Sequence, residues 1–274
     1  MTAVRLRRPG LAAGAARELS GLAAIAQRDV LKLLRDRPRL AVSLAFPVLL
    51  IGGLGSALQA TVGRVTGVSA VTVAFTGVLA ASLFQSAAAG MISIVEDRET
   101  DFSRELFVTP VSRFTLVTGK VAGETVVALA QGAGVVAFAA AFGVRMSGGQ
   151  LAALAGPAVA SCLLGGAFGL ATIAVLPNQR AAMQIFQFLI IPQYVLSGVL
   201  VPLRGAAPAL DVLAHLLPMT YVVQLSRAAF YAGQPGYHAV VTGSPAIDAV
   251  IVAGLTIVLL VAGAAVFSYR ERTR

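Results

Sequence analysis

Five stretches of this chain carry no charged side chain: residues 40–63, 65–95, 146–179, 181–203 and 249–269. A sixth, 121–144, is interrupted only by Glu124. A helix needs about 20 mostly apolar residues to cross a hydrocarbon core about 30 Å thick, and each stretch is long enough. Helices buried in a soluble protein would need polar faces towards water, and these segments have none. The chain therefore reads as an all-α integral membrane protein with six transmembrane helices. Its 12% of charged residues supports this, since soluble domains average about 25%.

A net charge of +9 raises nucleic acid as a partner, so the placement of the charge matters. Nine basic residues lie in 1–39, four in 96–120, one at Arg180 and three in 270–274. The other four are Arg64, Arg145, Arg204 and Arg227. With six spans and the N-terminus inside, 17 of the 21 basic residues fall on the inner side. That is the positive-inside pattern, so the charge reports topology and anionic lipid, not nucleic acid. Both termini are expected in the cytoplasm, at the cell membrane. The lone Cys162 excludes a disulfide framework and a paired-thiol metal site, and reads as packing. The segment LAAGAA near the N-terminus is too short and weak for a signal-peptide core. Only two basic residues are Lys while Ala, Val and Gly abound, which points to a GC-rich bacterial genome.

Residues 1–38 form a cytoplasmic N-terminal region. Within it, Leu19, Leu22, Ala26, Val30 and Leu33 recur at helical spacing, with Arg28, Lys32 and Arg35 on another face. Residues 16–37 thus read as an amphipathic helix lying in the headgroup plane; a disordered basic arm is the alternative. The membrane region covers 39–270, with spans near 40–60, within 65–95, from Lys120 onward, at 150–176, 181–201 and 249–269. Gly165 and Gly169 in the fourth span form a G-x-x-x-G pair, which lets helix backbones approach closely. Pro177 and Asn178 are read as closing that span, and Pro192 should kink the fifth. The apolar run from Val212 to Ser226, 15 residues with Pro218 at its middle, is too short to span. Residues 202–245 are read as an outer re-entrant segment of short helices broken at Pro218. The tail, 271–274, stays inside.

Between the second and third spans the chain reads SIVEDRETDFSRELFVTPVSR. Seven of the ten residues from Glu96 to Glu105 are charged, with a net of three negative charges on what should be the basic side. Phe102 and Leu106 sit four apart and share one helix face, with Phe107 beside them, until Pro110 ends the helix. An acidic helix with an aromatic knob suits docking to a protein; on charge alone, a solvated turn is the alternative.

The motifs Glu96-Asp97-Arg98-Glu99, Arg104-Glu105-Leu106, Pro110-Val111-Ser112-Arg113 and Gly119-Lys120 follow one another in this loop. Beyond the fifth span come Leu196-Ser197-Gly198, Pro202, Pro208, Pro218-Met219-Thr220-Tyr221 and Arg227. In this order the chain resembles the type-2 ATP-binding-cassette export permeases, the branch that includes bacterial daunorubicin and multidrug-resistance exporters. Asp101 stands where such permeases commonly carry Gly. The resemblance implies a coupling helix at 96–109, with Glu96, Asp97, Arg98, Glu99, Asp101, Phe102, Arg104, Glu105 and Leu106 seated in a cytoplasmic ATPase. It implies two ATPase copies, which carry ATP and Mg²⁺, and a second permease subunit, identical or related. It also implies a central path between two protomers. On the second span a stripe towards it would hold Thr72, Phe75, Thr76, Leu79 and Leu83. On the fifth it would hold Gln184, Gln187, Phe188, Ile191 and Tyr194. Ordinary helix packing is the alternative for each. Such mixed walls suit a hydrophobic or amphiphilic cargo, a drug-like natural product or a lipid; a lipid-linked glycan is a further possibility.

No G-x-x-x-x-G-K-[ST] occurs, so the chain has no P-loop for ATP and no catalytic or metal-binding set is assigned to it. The rival from another class is an intramembrane prenyl or phospholipid transferase holding Mg²⁺ on Asp97 and Asp101. It lacks a second acidic cluster, because Glu124, Asp211 and Asp248 are isolated. A membrane metalloprotease lacks H-E-x-x-H, and His215 and His238 lack ligand spacing. A secondary transporter would carry ionisable groups at mid-membrane. Only Glu124 qualifies, and it lies one turn from Lys120, with which it can pair.

Overall fold

A membrane interior offers no water to the backbone, so a chain crossing it must satisfy its peptide groups internally, as a helix does. The computed structural model describes residues 37–60, 67–92, 113–176, 178–203 and 207–272, and among them every regular element is helical. Apart from Arg37, the expected amphipathic N-terminal helix lies outside the described residues, as does the whole charged helix expected at 96–109.

The first helix, α1, is Arg37–Val48, with Pro47 near its end. Proline has no N–H and its ring crowds the carbonyl four residues back, so the regular ladder cannot continue unchanged. The chain widens there into a π-helical segment, Leu49–Leu54, and adds one further turn, Gly55–Ala57. Gln59 then reaches across the following loop, and its Oε1 accepts from the Ala70 N–H at 2.7 Å. This satisfies one of the orphan donors that begin the next helix.

That helix, α2 (Ala70–Gly90), is apolar all round and buried on nearly every side, which makes it the centre of the molecule. Against it pack α3 (Arg113–Ala141) and α4 (Gly148–Ala174). The turn between these two is closed at both ends. Val144 N–H donates to Ala139 O and Gly143 N–H to Ala140 O, with Gly143 at φ 84°. That double closure needs a residue in the left-handed region, where glycine is unstrained. Ser147 and Gln150 then bond reciprocally to each other's backbone N–H and start α4.

The contact between α2 and α4 is glycine-built. A Cβ on Gly165 would stand 2.2 Å from Phe84 O, and one on Gly169 would stand 2.4 Å from Ala88 O. The G-x-x-x-G pair thus brings two backbones together as the sequence suggested. Cys162 is buried and free within the same helix.

Asn178 does not close the fourth span but begins the next: its Oδ1 accepts from Ala181 N–H at 2.9 Å at the start of α5, Gln179–Leu196. Then come α6 (Pro208–His215) and α7 (Pro218–Tyr231), bent by 93° at the break, with Pro218 opening the second. Thr220 Oγ1 and Tyr221 OH, on the first turn of α7, donate to Ala214 O and His215 O, both at 2.6 Å. The bend is therefore held by the last carbonyls of α6, which no helix could continue to satisfy. A short α8, Tyr237–Val240, leads to α9, Pro245–Arg272. One side of α9 rests on α4 and α7. The other leaves Val250, Ile257, Val258 and Val261 exposed, an apolar face suited to lipid.

Among the described residues, four helical segments are long and apolar enough to cross a bilayer: Ala70–Gly90, Thr118–Ala141, Gly148–Ala174 and Pro245–Val266. The bent pair α6–α7 would make a fifth if counted as one span. Two expected spans differ from these. The first continuous apolar helix is shorter, Ser43–Ala57, with Pro47 and the π-helical segment inside it. Helix α5 is only 18 residues long and carries Arg180 with Gln184, Gln187 and Gln193.

Replacing Gly165 or Gly169 with Val should destabilise the protein by at least the about 1–3 kcal/mol typical of overpacking, because the clash is with backbone. Gly156→Ala, in the same helix but with nothing within 4 Å of its added Cβ, should be neutral or mildly stabilising. Unfolding of the three variants in detergent measures this. Equal stability of all three would contradict the packing described.

Candidate functional site

A cavity of about 950 Å³ opens between α1, α2, α3 and α5. Ser82, Gln85, Ser86 and Ala89 form its α2 wall, at the three- and four-residue steps that place side chains on one helix face. Glu124, Val127, Gln131 and Val135 supply the α3 wall, and Ser43, Leu44, Phe46 and Pro47 the α1 wall, which Leu50 and Leu54 of the π-helical segment extend. From α5 come Gln187, Ile190, Ile191, Tyr194 and Val195. Tyr194 ties three of these walls together. Its hydroxyl donates to Gln85 Oε1 at 3.0 Å, and its ring meets Phe46 edge-on at 5.5 Å.

One end of the cavity is marked by charge. Lys120 Nζ lies 2.7 Å from Glu124 Oε1, an i,i+4 pair on α3 that is largely shielded from solvent. The carboxylate rests over Gly90, where a Cβ would stand 1.9 Å from Glu124 Oε2. Glycine at the end of α2 is thus what admits the carboxylate between the two helices. Ionisable side chains at such depth are costly unless paired, and their presence marks functional surfaces.

The expected path residues separate into two groups. Gln187, Ile191 and Tyr194 line the cavity, while Gln184 and Phe188 are exposed elsewhere on α5. On α2, Phe75, Thr76, Leu79 and Leu83 are buried inside the chain, and Thr72 is half-buried. Phe75 packs on Phe230 of α7, and Thr76 Oγ1 is satisfied by Val73 O at 2.9 Å. Periodicity cannot pick a face on a helix that is apolar all round. The useful signal was polarity: Ser82, Gln85 and Ser86 are the polar side chains of the later half of α2, and they turn to the cavity. The coupling residues Glu96, Asp97, Arg98, Glu99, Asp101, Phe102, Arg104, Glu105 and Leu106 lie outside the described residues.

Sequence reasoning counted Arg227 among the outer basic residues, and charge counting carries no sign that it is buried. In the structure Arg227 has no exposed surface. Its Nη2 donates to Gly198 O at 2.5 Å and Val199 O at 3.1 Å, the carbonyls just past the end of α5. Gly198 adopts φ 68° there, turning the chain out of the helix. Val199 O in turn sits over Gly77 of α2, where a Cβ would stand 1.9 Å away. Gln193 makes a second link, its Oε1 accepting from Met219 N–H at 3.4 Å at the start of α7. Arg227 therefore binds the outgoing turn of α5 to α7 and presses it on α2.

These elements all fall within one recognised region. A family model described as ABC-2 type transporter matches residues 20–231, which runs from the N-terminal region to the last residue of α7. The chain belongs to the ABC-2 type transporter family. No curated protein matches it. As an ABC-2 permease it is a multi-pass membrane protein and the transport component of its system, with ATP hydrolysis residing in a separate ATPase. The cavity, the Lys120–Glu124 pair and the Arg227 clasp are thus features of a permease and not of an ATP-hydrolysing centre.

Replacing Arg227 with Met removes the donors of two buried carbonyls, each costing about 1–3 kcal/mol when left unpaired. Arg145→Met, at an exposed position, should change stability by less than about 0.5 kcal/mol. Unfolding in detergent compares them, and an equal effect of the two would contradict the role given to Arg227.

Proposed function

We propose that this permease is one of two membrane subunits of an ATP-driven exporter that moves a hydrophobic or amphiphilic molecule, a drug-like natural product or a lipid, out of a bacterial cell. The observation that carries the reading is the cavity of about 950 Å³ with apolar walls and scattered amides and hydroxyls, in a chain of the ABC-2 family. Sites of this size and mixed lining suit drug-sized molecules.

In this reading α1 and α5 complete six spans as its two short or polar members. Residues 1–38 and 271–274 are cytoplasmic, 39–270 form the membrane domain, and 202–245 face outward. The second permease subunit, a copy or a relative, completes the path along α5, where Gln184 and Phe188 are exposed beside the cavity residues Gln187, Ile191 and Tyr194. From α2 the path takes Ser82, Gln85 and Ser86. The stripe of Thr72, Phe75, Thr76, Leu79 and Leu83 acts from behind, through the packing of α2 on its neighbours.

The charged segment 96–109 serves as the coupling helix. It belongs to the connection between Ile92 and Arg113, so a force on it reaches the end of α2 and the start of α3. Gly90, the last residue of α2, and Glu124, three turns into α3, both line the cavity. Two ATPase copies, holding ATP and Mg²⁺, would supply that force. Glu99 and Glu105 would meet basic groups, with Phe102 and Leu106 in an apolar hollow. A lipid-linked glycan as cargo is the second permease reading, whereas a Mg²⁺-dependent transferase built on Asp97 and Asp101 has less support: family membership favours a permease.

Removing one partner of a desolvated charge pair costs about 2–5 kcal/mol. Glu105→Lys should therefore weaken assembly with the ATPase by orders of magnitude, and Phe102→Ala should separate ATP hydrolysis from export with membrane insertion intact. Co-purification of the ATPase with wild type and both variants, alongside export, measures this. Undiminished binding and export in both would refute the coupling role.

A further inference from the structure

The charge inside the cavity is of one sign. Among the described residues that line it, Glu124 is the one ionisable acid or base apart from the phenol of Tyr194. Lys120, although paired with it, is not part of the wall. The ion pair therefore contributes its carboxylate, and not its ammonium, to the cavity lining. One carboxylate oxygen, Oε1, is taken by Lys120. The other, Oε2, lies over Gly90, itself a lining residue without a side chain to cover it. An ionised carboxylate has about four lone-pair sites, so it can accept from a second cation beside Lys120.

The remaining walls suit the same class of guest. Phe46 and Tyr194 offer aromatic surface, which attracts a cation through the ring quadrupole. Gln85, Gln131 and Gln187 are neutral amides, able to bond polar substituents of either kind. A guest anion would face the carboxylate in a low dielectric with no basic side chain on the described wall to offset its desolvation. A neutral lipid would leave Glu124 unused.

We propose that this cavity selects amphiphilic organic cations, an apolar body bearing an ammonium or delocalised positive charge, and that Glu124 is the specificity-determining residue. The inference rests on reading the cavity as the cargo path.

Tetraphenylphosphonium and tetraphenylborate are nearly equal in size and shape and opposite in charge, so they isolate the electrostatic term. Equilibrium dialysis of each would use the full chain in zwitterionic-lipid nanodiscs, with empty nanodiscs subtracted. The wild type should bind the cation at least about tenfold more tightly than the borate, a ratio of Kd that corresponds to about 1.4 kcal/mol. Glu124→Gln should bring the ratio close to one. Because that variant strands Lys120, the double variant Lys120→Met/Glu124→Gln keeps the site neutral and should lose the preference as well. An absent preference in the wild type, or one that survives in the double variant, would overturn the proposal. The two readings fail separately. ATPase recruitment without charge preference sinks this inference alone, whereas charge preference in a chain that recruits no ATPase sinks the exporter reading.

Discussion

The guanidinium of Arg227 lies wholly out of solvent, bonded not to a carboxylate but to the carbonyls of Gly198 and Val199. Burying a charge costs less where its donors are used, and here Nη2 serves both carbonyls. Here the carbonyls past the end of α5 have no further helix to accept from, so the arginine supplies what the turn at Gly198 removes. The result is a junction of three elements. Helix α7 holds the α5 turn, the turn lies on Gly77 of α2, and the first turn of α7 is tied to α5 again by Gln193. The placement of α5 as a wall of the cavity depends on this junction. Nε and Nη1 of Arg227, with Ser197 Oγ and Tyr231 OH, are buried and find no partner among the described residues, which leaves this junction with unused polar atoms.

Behind the cavity the molecule is built for close, stiff contact. Helices α2 and α4 meet through Gly165 and Gly169, and α2 is nearly enclosed. In front of it the walls are less constrained: α1 is interrupted by a π-helical segment, and α5 leaves Phe188, Ile191 and Val195 exposed. In a packed interior, volume changes of even one methylene are felt, so rearrangement concentrates where contacts are fewest. An ATPase acting on the connection between α2 and α3 would therefore find a rigid lever on one side and yielding walls on the other.

Much of the fold was legible because hydropathy and punctuation are strong signals in a membrane protein. The charge-free stretches locate α2, α4 and α9, the run holding only Glu124 locates α3, and Pro218 opens the second helix of the bent pair. The i,i+4 relation of Lys120 and Glu124 anticipated their pairing. What failed did so for physical reasons. A stretch free of charge is not always one regular helix of spanning length: the first turns π-helical after Val48 and its apolar run ends at Ala57, and amides make the fifth a polar member. Helix α2 hides its orientation, since residues with equal hydropathy surround it, and only its few hydroxyls and one amide betray the cavity face. The burial of Arg227 was not anticipated, because charge counting assigns a side of the membrane and not an environment. Its neighbours Ala228, Ala229 and Phe230 pointed to it. The acidic segment from Glu96 to Glu105, the clearest functional signal in the sequence, lies outside the described residues.

That this chain converts the work of a separate ATPase, and does none of the ATP chemistry itself, is tested most directly by ATP hydrolysis in proteoliposomes. The chain would be reconstituted alone, the ATPase that co-purifies with it would be assayed alone, and the two would be assayed together. The expected result is no hydrolysis from the chain alone and a rate for the complex distinct from that of the free ATPase. Hydrolysis by the chain alone, or a rate indifferent to its presence, would contradict it.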